Sequence, residues 1–194
     1  MERARTLLIS MGPLALLLAL TVIGVCWALN PWFDFWRDAF SDFGVRRACC
    51  PWLYNYSLIA AGLIFLLYSA GVLLSAATKA ESFASGLLFT ASLFLTLIGL
   101  YPGGTRPHTF VSTWFFAQSF MGFGALGYGI YRRGDAATAI LTGAPSITAI
   151  PAGLAIDAVN GWPSAASAEA AGIAVIAVSL ISSATYYLRQ ASQA

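Results

Sequence analysis

Residues 7–29 read LLISMGPLALLLALTVIGVCWAL, twenty-three positions without one Asp, Glu, Lys or Arg. A helix needs about 20 predominantly apolar residues to cross a bilayer's hydrocarbon core. The run is also longer than the roughly 7–15 residues of a signal-peptide core. The expectation is therefore a retained transmembrane helix. Five further stretches lack charged residues: Trp52–Ala76, Phe83–Tyr101, Thr109–Tyr131, Ala137–Ile156 and Ala170–Leu188. Backbone polar groups in hydrocarbon must pair within their own segment, which makes each stretch a helix. The alternation of a membrane β-barrel is absent. The fold expected is all-α: a polytopic six-transmembrane-helix bundle, one domain over residues 1–194.

Composition agrees. Of 194 residues, 59% are hydrophobic and 9% charged, against about 25% charged in soluble domains. The bilayer is thus the first partner. A net charge of +2 without a long Lys/Arg run excludes a nucleic-acid binder. With the N-terminus inside, Arg3, Arg5, Lys79, Arg132, Arg133 and Arg189 fall on the inner side. Arg37, Arg46, Arg47 and Arg106 fall outside, six against four. That bias orients both termini to the cytoplasm in a multi-pass protein of the cell membrane.

The loops between spans are short, and the richest lies outside. Asn30–Gly44 reads NPWFDFWRDAFSDFG. Asn30 suits an N-cap, Pro31 a first helical position and Gly44 a stop. Trp32, Trp36, Ala39 and Phe43 would share one face of a short interfacial helix, and Asp34, Asp38 and Asp42 another. The aspartates have oxygen ligands suited to Mg²⁺ or Ca²⁺, and equally the i, i+4 spacing of a solvated face. One histidine and no Cys-x-x-Cys give no metal site of recognisable pattern. Cys26, Cys49 and Cys50 cluster at the outer end, where Cys26 could bridge to either neighbour if that side is oxidising. In the fifth span Pro145 and Pro151 predict a kinked or interrupted helix, a feature that marks binding sites in transporters.

Few residues could carry chemistry. His108 is the only histidine. Thr105 is expected to cap the fourth span, with His108 one turn inside and Ser112 one turn further on the same face. A helix N-terminus attracts anions, and Arg106 adds a planar donor fork. His108 is then either an acid–base group in an anion site or a loop histidine bonded to Ser112. Glu169 enters the sixth span beyond its Pro163-Ser164 start. A carboxylate at membrane depth is costly and points to function, although the helix dipole also favours it there.

Four pieces together resemble a known family: Ser41-Asp42-Phe43-Gly44, Asn55 entering the second span, Pro102 with His108-x-x-x-Ser112, and Gly161-Trp162 leading to Glu169. They resemble the six-span prokaryotic membrane proteins grouped as domain of unknown function 998 (DUF998). The resemblance implies a six-helix bundle with polar residues gathered at one side, and it implies no activity. Three functions follow. In the first, the protein binds or modifies an anionic lipid headgroup in an outer pocket. There His108, Glu169 and Asp42 would be catalytic, and Arg106, Ser112, Asn55 and Thr105 would bind. The second is a small-solute or proton transporter. The third is a non-catalytic accessory protein. The cofactor is left unknown.

Overall fold

A computed structural model describes residues 2–192, and their regular structure is entirely helical. Six long helices follow one another: α1 (Glu2–Leu29), α2 (Pro51–Ser75), α3 (Lys79–Leu100), α4 (His108–Arg132), α5 (Ala136–Val159) and α6 (Ala165–Ala191), with a short 3-10 helix at Phe40–Gly44. Each covers one of the uncharged stretches. Five are long and apolar enough to cross a membrane on length and composition, and α4 is not among them. Its Thr109, Ser112, Thr113, Gln118, Ser119 and glycines dilute its hydropathy. Those same small residues let it pack closely.

Each helix packs on its neighbours in sequence, and α6 returns to α1 and also touches α4, so the ring closes. Phe65, Tyr68, Leu88, Phe123, Leu126 and Ile130 are buried where the helices meet. One close approach joins α4 and α5, where a Cβ on Gly127 would meet the Cα of Gly143 at 2.6 Å. Small residues allow such backbone contact in membrane bundles. Hydroxyls then link α2, α5 and α6. Tyr68 pairs with Ser183 at 2.7 Å, Ser146 with Ser179 at 2.9 Å, and Thr142 donates to Ser182 at 3.2 Å.

Polar caps set the helix ends. The Thr78 hydroxyl accepts from the Glu81 amide, and Asp135 accepts from the Thr138 amide at 2.9 Å. Ser164 caps α6 by accepting from the Ser167 amide at 2.9 Å. Each places a short side-chain acceptor on an otherwise unpaired amide. The Asp135 carboxyl is held below the usual carboxylate range by the amide and the hydroxyl of Thr138.

α5 runs as one helix from Ala136 to Val159, across both Pro145 and Pro151, so the span is not interrupted, although each proline removes a helical donor. Beyond Ile147 almost every residue of α5 is exposed. The segment after α1 is not the one amphipathic helix expected. Asp34 accepts from the Trp36 amide at 2.9 Å, and Asp38 accepts from the Asp34 amide at 2.8 Å. Aspartate side chains compete in this way for the amides a helix would use. Asn30 is not an N-cap. Its amide group donates to the Cys26 carbonyl and accepts from the Cys49 amide and the Trp32 indole, tying the end of α1 to the start of α2. Phe33, Phe40 and Phe43 turn inward as a stacked group, whereas Trp36 stays exposed. All three cysteines are free, and the neighbours Cys49 and Cys50 have sulfurs 3.4 Å apart.

Candidate functional site

The helix ends that carry Tyr54, His108 and Glu169 meet the 3-10 helix at one end of the bundle. Below them lies a narrow cavity of about 100 Å³ walled by α1, α2, α3, α4 and α6. On α6 its wall runs from Glu169 to Leu180. At 1.5 Å per helical residue this is about 16 Å of depth. Ser41, Tyr54, His108, Ser112 and Glu169 are the polar side chains on its wall, all near the 3-10 end, and the deeper wall is aliphatic and aromatic.

Local geometry fixes each polar group. Ser164 caps α6 and its hydroxyl donates to the Phe35 carbonyl at 2.7 Å, which anchors the helix start against the loop. Glu169 therefore sits more than one turn inside α6, and its Oε2 accepts from the Phe40 amide at 2.7 Å. The amide of Ser41 lies beside the same carboxylate. One carboxylate oxygen thus holds the 3-10 helix in place. The other makes no hydrogen bond of ordinary length and angle among the described residues.

His108 is the first residue of α4, not a residue one turn inside it. The residue before it is Pro107, which offers no side-chain cap. Thr105 does not cap the helix, because its hydroxyl donates back to the Pro102 carbonyl at 2.8 Å within the loop. The His108 Nδ1 lies 2.8 Å from the Tyr101 carbonyl. A carbonyl only accepts, so Nδ1 carries the proton, and in the neutral ring Nε2 is left as an acceptor. The Ser112 hydroxyl donates to the His108 carbonyl at 2.9 Å. It supports the backbone there and leaves its lone pairs free. Tyr54 is buried, packs on Phe43 with ring centroids 5.9 Å apart, and its hydroxyl has no partner among the described residues.

The cavity thus brings together His108, Ser112 and Glu169, and leaves the other expected residues outside. Asp42 does not line it. Its Oδ2 accepts from the Ala39 amide at 3.2 Å and pairs with Arg47 at 2.9 Å. The Arg47 guanidinium in turn lies 4.3 Å from the Trp32 ring centre. Asn55 donates to the Gly44 carbonyl at 3.0 Å, while its buried Oδ1 is unpaired. It clamps the end of the 3-10 helix and does not face the cavity. Arg106 is exposed, is absent from the cavity wall, and has no ion pair among the described residues. The wall consequently carries a carboxylate and no cation.

Sequence reasoning passed over two residues. Tyr54, beside Asn55, reads as one more aromatic in an apolar span and gives no signal of its own. Glu81, in the first turn of α3, drew no notice beside the short turn before it, yet it is fully buried at the opposite end of the bundle. Its Oε2 accepts from the Ala77 and Thr78 amides. Its Oε1 accepts from Arg133 at 3.1 Å and from the Tyr187 hydroxyl at 2.8 Å. Gly129 makes room for it, since a Cβ there would meet the Glu81 Cγ at 2.6 Å. The Thr-x-x-Glu spacing of a capping box was the available clue.

No curated protein and no solved structure matches the chain. One family model does, that of the Protein of unknown function (DUF998), over residues 13–186. With nearly the whole bundle inside that match, the chain belongs to the DUF998 family of membrane proteins.

Proposed function

We propose that the protein is a six-span protein of the cell membrane that binds a single-chain amphiphile, tail in the cavity and head at the end near His108 and Glu169. One observation carries this: a cavity about 16 Å deep whose polar groups all lie at one end. Ligand sites are mostly apolar, with a few polar groups that fix orientation. The small cavity volume, about 100 Å³, favours one chain over two. α4 is the sixth span in this arrangement. Ser112 lines the cavity, Gln118 accepts from Thr90 of α3 and Ser119 is buried, which suits a helix inside a bundle. Both termini lie in the cytoplasm, which places the cavity mouth at the outer face.

An anionic headgroup, the class favoured by the sequence, loses its clamp because Arg106 stands off the wall. A transporter would draw on a broken span, and α5 supplies none.

The test fills the slot. In lipid nanodiscs, Leu58→Trp should abolish capture of octyl amphiphiles, read by native mass spectrometry, while Leu63→Trp on the exposed face of α2 should not. Equal capture by both variants would remove the site. Reporter fusions after Arg133 and after Ser192 should both report the cytoplasmic side, and an external signal from either would overturn the topology.

A further inference from the structure

We propose that the head position takes a neutral hydroxyl group, so that the ligand is a single-chain alcohol and not a fatty acid, an alkyl phosphate or an alkyl amine. This rests on the amphiphile reading above and adds the chemistry of the head.

The hydrogen-bonding capacity left open at the polar end decides it. Glu169 takes the Phe40 amide on Oε2, with the Ser41 amide beside the same carboxylate, and still has lone pairs left to accept. His108 commits Nδ1 to the Tyr101 carbonyl, which leaves Nε2 as an acceptor. Tyr54 offers an unpartnered hydroxyl from a buried position. The cavity thus presents acceptors on α4 and α6 and a donor on α2, all lining one end. A buried polar group left unpaired is costly, so the best occupant satisfies both kinds. An alcohol does: it donates one hydrogen bond to Glu169 or His108 and accepts one from Tyr54.

The alternatives each cost more. An ionised carboxylate or a phosphate dianion has no proton to donate to Glu169 or Nε2 and brings its charge into an apolar cavity beside the Glu169 carboxyl. No cation lines the wall to offset it, and the nearby Arg47 is already paired with Asp42 and Asp38. An ammonium would pair with Glu169. Nε2 and the Tyr54 oxygen could take its other protons, but it must give up its hydration, a cost that a buried ion pair scarcely repays, whereas a hydroxyl gives up far less.

The experiment uses the full chain in lipid nanodiscs at neutral pH. Octanol, octanoate, octyl phosphate and octylamine are titrated separately. Specific binding is the excess of adducts over the Leu58→Trp variant in native mass spectra, which removes differences in membrane partitioning. Octanol should bind at least ten-fold more tightly than each of the other three. Glu169→Gln keeps an acceptor for the Phe40 amide and removes the charge, so it should narrow the octanol-to-octanoate ratio several-fold. Tyr54→Phe should weaken octanol several-fold without changing the dependence on chain length. If octanoate, octyl phosphate or octylamine binds as tightly as octanol, the hydroxyl assignment is wrong and the amphiphile site stands. If the ratios ignore Glu169→Gln and Tyr54→Phe, the assigned groups are not the head contacts. If none of the four binds above the filled variant, the amphiphile site itself falls.

Discussion

Glu81 and Glu169 lie at opposite ends of the bundle, and they differ in how much of their hydrogen-bonding capacity the fold uses. Glu81 is saturated. Two backbone amides, a hydroxyl, a phenol and a guanidinium surround its carboxylate and tie the α2–α3 turn to α4 and α6. Nothing is left to offer a ligand. Glu169 accepts from the backbone of the 3-10 helix and still has lone pairs left to accept at the cavity. Two glutamates at the starts of apolar helices look alike in sequence. What distinguishes them is how many donors the fold brings to each, and spare capacity is what a site requires.

The sharpest way to break this contrast is to make the same change at both ends. Glu81→Gln removes the counter-charge from Arg133 and leaves donors facing donors. It should cost about 3 kcal/mol of stability, as breaking a buried ion pair does, and appear as a large fall in thermal midpoint in detergent. Glu169→Gln retains the acceptor that Phe40 needs and should cost about 1 kcal/mol or less in the same assay. Equal losses would mean that Glu169 is as structural as Glu81.

Next in size is Arg47→Ala, which strips the partners from Asp42 and Asp38 and the cation from above Trp32. A partly exposed network of this kind contributes about 1 kcal/mol. The midpoint should fall slightly and the loss should shrink in high salt. Salt independence would argue that Arg47 acts through packing.

The smallest effect belongs to the cap of α5. Hydrogen bonds from Thr138 hold the Asp135 carboxyl below its ordinary value. A carboxyl depressed on folding contributes stability that is complete above its unfolded value and is lost as pH falls through the folded one. The midpoint difference between the native chain and Asp135→Ala should therefore be present at neutral pH and fade in acid. A difference that grows in acid would contradict the cap.

The helices themselves were legible because hydrocarbon tolerates no charge without a partner, so uncharged runs mark them to within a few residues. The loop at 30–50 was not legible in the same way. Its helical spacing of Trp32, Trp36 and Phe43 was real, but Asp34 and Asp38 bind local amides and Asn30 bridges two helices, and neither role has a periodic signature. His108, Ser112 and Glu169 stood out because polar residues at helix starts are conspicuous in an apolar chain, and the fold brings all three to the cavity wall. Asp42 and Asn55 were equally conspicuous and lie off that wall, bonded to the 3-10 segment. Which way a side chain turns at a helix end depends on tertiary contacts that spacing does not encode. Tyr54 and Glu81 show the converse: one was hidden among aromatics, and the other drew no notice beside a short turn.

The knot around Glu81 has a mechanical consequence. It gathers the ends of α2, α3, α4 and α6 at one point, much as a vice holds a row of rods, while the far end is joined by longer loops and by separate ties from Asn30, Asn55, Ser164 and Glu169. Deflection in such a frame grows with distance from the fixed end. The compliance of the molecule is therefore concentrated at the mouth of the cavity, where the proposed ligand would enter, and its rigidity at the Glu81 end.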